Sequence, residues 1–216
     1  MKEYIKIETV FERDTEGTRK LIEGKFRDET VEYLRNNAWE WTEKIDGTNI
    51  GVIWDGDHVS FQGRTEKAQI PAYLLTVLNE IFGSEEAEEL FEQIFDDKTV
   101  ILYGEGFGRK IQKNGALYLP DGVGFILFDV YFPETNLWLK RDAVEKTAQT
   151  FGIPCVPIVF YGDIEKAVEY VKTNPHSLIG EAPMEGLVGR PLIGLTDRLG
   201  KRVIVKIKAV DFQQNV

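Results

Sequence analysis

The amino-acid sequence predicts an α+β fold, in which strands and helices are mixed along the chain. Two helices are predicted between residues 70 and 95, because apolar side chains recur there at helical spacing. A β-hairpin is predicted just before them, where two β-rich stretches flank the turn sequence Asp55-Gly56-Asp57. The strands and helices do not alternate strictly, which favours α+β over a doubly wound parallel sheet.

The predicted helices have recognisable start and stop signals. Pro71 stands where a first helical turn tolerates proline, and Ser84 can cap a second helix with Glu85 and Glu86 in its first turn. The helices are predicted at residues 28–34, 70–82, 84–95, 140–151 and 164–173. The strands are predicted at residues 4–7, 39–42, 49–54, 58–62, 100–103, 122–131, 157–161, 186–190 and 202–210. A glycine-rich loop is predicted from Gly104 to Gly108.

Composition limits the classes of protein to which this chain can belong. Its 216 residues, 43% of them apolar, predict a single domain over residues 1–216. No stretch is apolar for long enough to span a bilayer, and no apolar signal region follows Met1. The one cysteine, Cys155, excludes an internal disulfide and a cysteine-rich zinc site. We therefore expect a cytoplasmic protein without a membrane partner.

The net charge of −10 argues against a protein that coats nucleic acid non-specifically. The charge is uneven, however, because residues 85–97 contain seven acids and no base. From Glu181 to the last residue, bases outnumber acids by six to four. An acidic total is therefore compatible with a local anion-binding site.

Lys44 is the candidate nucleophile, since it stands between two β-like stretches and just ahead of the turn sequence Asp46-Gly47. A lysine can act as a nucleophile when burial or a nearby cation lowers its pKa from the usual value of about 10.4. Three carboxylates in turn-like settings are candidate partners: Asp46, Glu105 and Glu185. For each of these residues, a solvated position on the surface is the alternative.

Lys206 and Lys208 fall on one face of a predicted strand, whereas Val205 and Ile207 fall on the other. Two like charges on one face destabilise a strand unless an anion lies between them, and a polyphosphate is a suitable anion. A solvated sheet face is the alternative. Other phosphate motifs are absent, because Arg109 replaces the last glycine of a dinucleotide fingerprint and no P-loop pattern occurs.

Six short motifs follow one another in an order that resembles the covalent nucleotidyltransferase superfamily of polynucleotide ligases and mRNA capping enzymes. The motifs are Lys44-Ile45-Asp46-Gly47, Gly63-Arg64, Leu102 to Gly106, Phe125 to Val130, Glu185 to Arg190, and Val205 to Lys208. Within that superfamily the chain resembles the RNA ligase 2-like family, because Thr48-Asn49 follows the Asp-Gly pair. The resemblance implies antiparallel sheets flanked by helices, with a central nucleotide cleft.

The resemblance also implies a reaction and a set of site residues. Lys44 would attack ATP to form a covalent lysyl-AMP, AMP would pass to an RNA 5′-phosphate, and a 3′-hydroxyl would seal the strand. ATP and Mg²⁺ are the implied cofactors, and RNA ends are the implied partners. The implied residues are Glu43 for the adenine edge, Phe128 for stacking on adenine, Glu105 for the ribose, Glu185 for the metal, Lys206 and Lys208 for phosphates, and Asn49 and Arg64 for the RNA end.

Two departures from the pattern leave alternatives open. Arg190 stands where many ligases have lysine, and eight residues follow Lys208. We therefore expect no separate C-terminal RNA-binding or OB domain, and we expect a monomer, or a chain whose partner adds RNA-binding surface. A small DNA-nick ligase, a guanylyltransferase and a non-catalytic module that binds nucleotides or RNA ends are the alternative functions. Phe128 as a core residue and Arg64 in a surface ion pair are the alternative roles.

Overall fold

The computed structural model describes residues 3–65 and 67–213. The chain forms two compact units, and each is built from two separate stretches of sequence. Unit 1 comprises Met1–Ile5 and Asp46–Val156, and unit 2 comprises Lys6–Ile45 and Pro157–Val216.

Strands and helices are spread over both units. The strands in the described residues are β1 (Glu8–Thr9), β2 (Phe11–Arg13), β3 (Leu21–Phe26), β4 (Trp39–Lys44), β5 (Thr48–Trp54), β6 (Val59–Gln62), β7 (Val100–Gly108), β8 (Val123–Phe132), β9 (Leu137–Trp138), β10 (Ile158–Gly162), β11 (Gly186–Pro191) and β12 (Val205–Lys208). The α-helices in the same residues are α1 (Glu29–Tyr33), α2 (Ala72–Phe82), α3 (Glu85–Phe95), α4 (Gly115–Tyr118), α5 (Arg141–Thr150) and α6 (Ile164–Lys172). A 3₁₀-helix follows β12 at Ala209–Asp211.

The described part of unit 1 contains an antiparallel sheet with the strand order β6-β5-β7-β8-β9. Helices α2 and α5 pack against β8. The core contains the fully buried side chains of Val52, Leu102, Leu78, Phe82 and Phe91. The apolar positions of α2 and α3 therefore form the inner faces that their helical spacing predicts.

The described part of unit 2 contains a sheet with the strand order β1-β12-β11-β4-β10 and a separate β2-β3 hairpin. The two-residue strand β1 runs parallel to β12, and the other neighbouring strands are antiparallel. Trp39 and Trp41 are fully buried, and their ring centroids lie 5.7 Å apart. They share a core with Val168 of α6 and with Ile207 of β12. One face of this sheet is thus apolar and covered, which leaves the alternate residues of β4 and β12 on the other face.

The structure confirms the α+β class with antiparallel sheets. It also confirms the predicted hairpin as β5 and β6, and the cap of α3, where Ser84 Oγ accepts a hydrogen bond from the Ala87 N–H. The prediction of a strand at residues 4–7 is wrong, because strand pairing begins only at Glu8.

The prediction of a glycine-rich loop at Gly104–Gly108 is also wrong, since these residues belong to β7. A Cβ at Gly104 would overlap the Phe125 ring of the neighbouring strand. This glycine therefore permits close packing between two strands.

No helix in the described part of the chain is both long enough and apolar enough to cross a membrane.

Candidate active site

Lys44 is the last residue of β4, and its ammonium group forms an ion pair in unit 2. Lys44 Nζ lies 2.6 Å from Glu185 Oε2. Because Trp39 and Trp41 on the same strand face the core, alternation puts the Lys44 side chain on the opposite face of the sheet. The side chain keeps 24% of its surface exposed, so a substrate can reach the amine.

Glu185 lies between two lysines and contacts both of them. Its Oε2 atom pairs with Lys44, and its Oε1 atom lies 2.9 Å from Lys208 Nζ. Strand register explains the arrangement, because Gly186 is aligned with Lys44 on one neighbouring strand and with Lys208 on the other. The carboxylate that precedes Gly186 therefore stands at the end of three adjacent strands.

Gly186 permits this three-strand arrangement because it has no side chain. Its φ is +154°, and a Cβ here would overlap the carbonyl oxygen of Ile207 on β12. The close approach of β11 and β12 at this point keeps Glu185 near Lys208. The sequence motif Glu185-Gly186 thus has a local structural reason as well as a chemical one.

Lys206 adds a third cation to the same face of the sheet. It stands two residues before Lys208 on β12, and its register partner on β11 is Val188. Burial lowers the pKa of Lys206, and the nearby ammonium groups of Lys44 and Lys208 lower it further. A bound anion would offset both effects, so this face is suited to phosphate groups. The predicted placement of Lys206 and Lys208 opposite the buried Val205 and Ile207 is confirmed.

Glu43 lies on the opposite face from Lys44 and is only 1% exposed. Its Oε2 atom accepts a hydrogen bond of 2.8 Å from the backbone N–H of Leu178. Burial raises the pKa of the Glu43 carboxyl, whereas the Ser177 hydroxyl and the Leu178 N–H act in the opposite direction. The contact holds residues 177–178 next to the strand of Lys44. No local pattern reveals it, because the two partners are 135 residues apart.

Asn49 and Glu105 are cross-strand neighbours in unit 1. They are register partners on β5 and β7, so their side chains share one face of the sheet. Gly47, just before β5, packs so tightly on β7 that a Cβ would overlap the carbonyl oxygen of Gly106. Gln112 Nε2 donates a hydrogen bond of 2.9 Å to the Gly47 carbonyl oxygen.

Phe128 is half-buried at an irregular point of β8. The register between β7 and β8 shifts between Tyr103 and Gly104, where Phe128 has no partner in the ladder. The Tyr4 ring contacts Phe128 and Tyr103 edge-on, with centroids 5.0 and 4.9 Å away. The Tyr4 hydroxyl also donates a hydrogen bond of 2.6 Å to Asp129 Oδ2. Phe128 is therefore held by a partner 124 positions away in sequence, which sequence reasoning missed.

Arg64 is exposed in the bend after β6. In unit 2 the structure brings together Lys44, Glu185, Lys206 and Lys208. In unit 1 it places Asn49 and Glu105 side by side. Among the residues that the structure describes, no group of three or more histidine, cysteine, aspartate and glutamate side chains converges on one point.

Comparison with known families gives a match over most of the chain. The family model described as RNA ligase matches residues 37–208. The chain belongs to the RNA ligase family. The match begins just before β4 and ends at Lys208, so it includes all nine candidate residues of the site. No curated protein matches the chain.

Several solved structures of Naegleria gruberi RNA ligase share the fold of this RNA ligase family member. A variant with ATP and manganese has a TM-score of 0.67 at 21% identity, over 96% of this chain and 56% of that chain. Another variant with ATP and manganese has a TM-score of 0.62 at 23% identity, over 83% of this chain and 51% of that chain. The enzyme with pyrophosphate has a TM-score of 0.62 at 24% identity, over 83% of this chain and 51% of that chain. This chain thus spans about half the length of those RNA ligase chains.

Proposed function

We propose that this chain is an ATP-dependent RNA ligase in which Lys44 takes AMP from ATP as a covalent intermediate. The observation that carries the proposal is the contact of Lys44 and Lys208 with the same carboxylate, Glu185, beside Lys206. An amine nucleophile and two further cations on one sheet face suit a triphosphate substrate. Membership of the RNA ligase family supports this choice of substrate.

The first step is a phosphoryl substitution by a lysine amine. The uncharged Nζ of Lys44 attacks the α-phosphorus of ATP, a P–N bond forms, and the P–O bond to pyrophosphate breaks. Lys44 loses a proton in the process, because only the uncharged amine has a free electron pair. Naegleria gruberi RNA ligase has been solved with ATP and with pyrophosphate, which would be the substrate and the product of such a step.

Further residues are proposed to hold the nucleotide. Lys206 and Lys208 would bind phosphate oxygens on the face that Lys44 occupies. Glu105 would bind the ribose hydroxyls, and Phe128 would stack on adenine, a kind of contact worth roughly 1–3 kcal/mol for a base. The expected role of Glu43 at the adenine edge does not fit its side chain, which is 1% exposed on the opposite face of the sheet from Lys44.

The residues present also fit a magnesium ion. Mg²⁺ is usually held by one or two carboxylates together with substrate phosphates and water. Glu185 supplies one such carboxylate at the end of β11, next to the lysines proposed to bind phosphate. When bound, the ion neutralises negative charge on the phosphates. Glu185 would then be both the partner of Lys44 and a metal ligand.

The later steps are proposed to act on RNA ends. The 5′-phosphate of one RNA end attacks the lysyl-AMP phosphorus, which breaks the P–N bond and gives an adenylylated end. The 3′-hydroxyl of a second end then attacks the 5′-phosphate, forms a phosphodiester and releases AMP. Asn49 and the exposed Arg64 are proposed to position these ends.

Labelling with α-³²P-ATP and magnesium tests the first step directly. We expect acid-labile label on the wild-type protein and none on Lys44→Ala. Lys146→Ala is the control, because this exposed lysine of α5 belongs to unit 1 and has no proposed role. Label from GTP alone would favour a guanylyltransferase. No label with any nucleotide or divalent metal would overturn the enzymatic proposal and favour a binding module.

Sealing assays test the later steps. The wild-type protein should join RNA ends that carry a 5′-phosphate and a 3′-hydroxyl, with an adenylylated RNA as the intermediate. Sealing of nicked DNA in preference to RNA would contradict the choice of substrate without affecting the labelling result.

A further inference from the structure

A loop between β7 and α4 carries three cations within five residues of this acidic protein. We call the segment from Arg109 to Lys113 the basic loop; its cations are Arg109, Lys110 and Lys113. All three are exposed, and none of them forms an ion pair with another described residue. The basic loop is therefore a local source of positive charge in a chain whose net charge is −10.

The backbone of the basic loop is fixed at several points. Ile111, at its centre, is 5% exposed and belongs to the core of unit 1. The Arg109 N–H donates a hydrogen bond of 2.7 Å to the Gly122 carbonyl oxygen. The Tyr73 hydroxyl donates one of 3.1 Å to the Lys110 carbonyl oxygen. The cations therefore extend from an ordered backbone, which reduces the entropy lost when they bind a ligand.

The same backbone adopts an unfavourable conformation at two residues. Lys110 has φ +70° and Gln112 has φ +60°, the left-handed region that ordinary residues avoid at a cost of about 1–2 kcal/mol each. Glycine would remove that cost at either position. Strain of this kind is concentrated at ligand-binding segments, where a particular side chain is needed in a particular direction.

Gln112 connects the basic loop to the turn that precedes β5. Its side-chain amide binds the carbonyl oxygen of Gly47, which follows Lys44 by only three residues. Within unit 1, the basic loop is therefore joined through one side chain to the turn that precedes β5. Transfer of AMP to Lys44 needs no such surface, whereas a polynucleotide substrate does.

We propose that the basic loop is the docking surface for the sugar-phosphate backbone of the RNA substrate. The proposal rests on the proposed RNA ligase function and names the part of the chain that binds RNA. Arg109, Lys110 and Lys113 contact successive phosphates, and Ile111 and Gln112 hold the loop in place. Contacts of this kind are independent of base sequence and depend strongly on salt.

The test compares two triple variants with matched charge changes. The first replaces the cations of the basic loop with glutamine (Arg109→Gln, Lys110→Gln and Lys113→Gln). The control makes the same change at three exposed lysines elsewhere in unit 1 (Lys98→Gln, Lys140→Gln and Lys146→Gln). Fluorescence anisotropy measures the affinity of each for a 5′-phosphorylated single-stranded RNA over a range of KCl concentrations.

We expect the basic-loop variant to bind RNA about tenfold more weakly at low salt than the control does. Its plot of log affinity against log salt should be shallower by about 2, because each phosphate contact to a single strand contributes about 0.7 to the slope. Equal affinities and slopes for the two variants would overturn the proposal.

Labelling with ATP separates this proposal from the function on which it rests. Formation of labelled Lys44 uses no RNA, so both triple variants should label like the wild-type protein, which also shows that they are folded. If the wild-type protein takes no label, the proposed function fails. If labelling is normal but the loss of RNA affinity is the same in both variants, only the docking surface fails.

Discussion

Glu43 and Lys44 are consecutive residues of β4, and their side chains lie on opposite faces of the sheet. Lys44 is accessible and paired, whereas Glu43 is a carboxyl group that is nearly inaccessible to solvent. Burial disfavours the charged form of Glu43 and raises its pKa above the ordinary value of 4.5. The stability of the folded protein should therefore depend on the protonation of this one residue.

The sign of this dependence follows from the direction of the shift. The folded protein holds the Glu43 proton more tightly than the unfolded chain does, so Glu43 contributes most to stability below pH 4.5 and loses that contribution as pH rises through its raised pKa. We predict that Glu43→Gln removes this loss. Its free energy of unfolding should increase relative to wild type from pH 4 to pH 8, as measured by urea denaturation.

Glu181→Gln is the matched control for that experiment, because Glu181 is exposed. Its difference from wild type should stay constant over the same pH range. If Glu43→Gln also gave a constant difference, the buried carboxyl would not be the source of the pH dependence.

At the scale of single residues, the sequence could predict the position of a side chain where that position follows from a local pattern. Lys206 and Lys208 were predictable as a pair on one face, because Val205 and Ile207 alternate with them. The contact between Glu43 and Leu178 was not, since it depends on a loop far along the chain. The same holds for the contact between the Tyr4 hydroxyl and Asp129. Nonlocal contacts of this kind need the tertiary structure.

At the scale of elements, β11 is the strand that joins the two lysine-bearing strands of unit 2. It pairs with β4 on one side and with β12 on the other, and Gly186 is its first residue. A side chain at Gly186 would have to displace the backbone of β12 at Ile207, which Lys208 follows. The geometry around Glu185 therefore depends on the absence of a Cβ at this position.

We predict that Gly186→Ala destabilises the protein by about 1–3 kcal/mol, as expected for overpacking of a buried position. The change should also reduce labelling of Lys44, because separation of β11 from β12 moves Glu185 away from Lys208. Gly194→Ala is the control, since a Cβ there meets no atom within 4 Å. Urea denaturation and α-³²P-ATP labelling measure the two effects. Stability and labelling equal to those of Gly194→Ala would contradict the prediction.

Helices with strong local signals were the most predictable elements. The predicted cap of α3 is present, because Ser84 Oγ accepts a hydrogen bond from the Ala87 backbone N–H. The stretch from Gly104 to Gly108 was read wrongly, because glycine usually indicates a turn. In β7 it instead leaves room for the side chains and backbone of neighbouring strands. Whether a glycine breaks a strand or allows close packing is decided by residues that are distant in sequence.

At the scale of the whole molecule, the chain crosses three times between its two compact units. Unit 2 contains β4 together with β11 and β12, which follow it by more than 140 residues. The sequence supports one α+β protein of this size, but strand pairing over such separations is not visible in local periodicity. The ordered set of six motifs was more informative than any predicted strand, because it indicated the family whose model matches residues 37–208.

The net charge of −10 should oppose the binding of a polyanion such as RNA. Seven of the acids lie in the stretch from Glu85 to Asp97, which belongs to unit 1 like the basic loop. Repulsion from this stretch should slow the association of RNA at low ionic strength. It should be largely screened once the Debye length falls well below about 10 Å.

We therefore predict that neutralising three exposed acids of α2 and α3 (Glu80→Gln, Glu89→Gln and Glu92→Gln) speeds RNA association several-fold at low salt. The net charge becomes −7, and no residue of the candidate active site or of the basic loop is changed. Stopped-flow fluorescence with labelled RNA measures the association rate constant. The acceleration should disappear at high salt, because only long-range repulsion has been removed. An acceleration that persists at high salt would instead indicate that the new glutamines contact RNA directly.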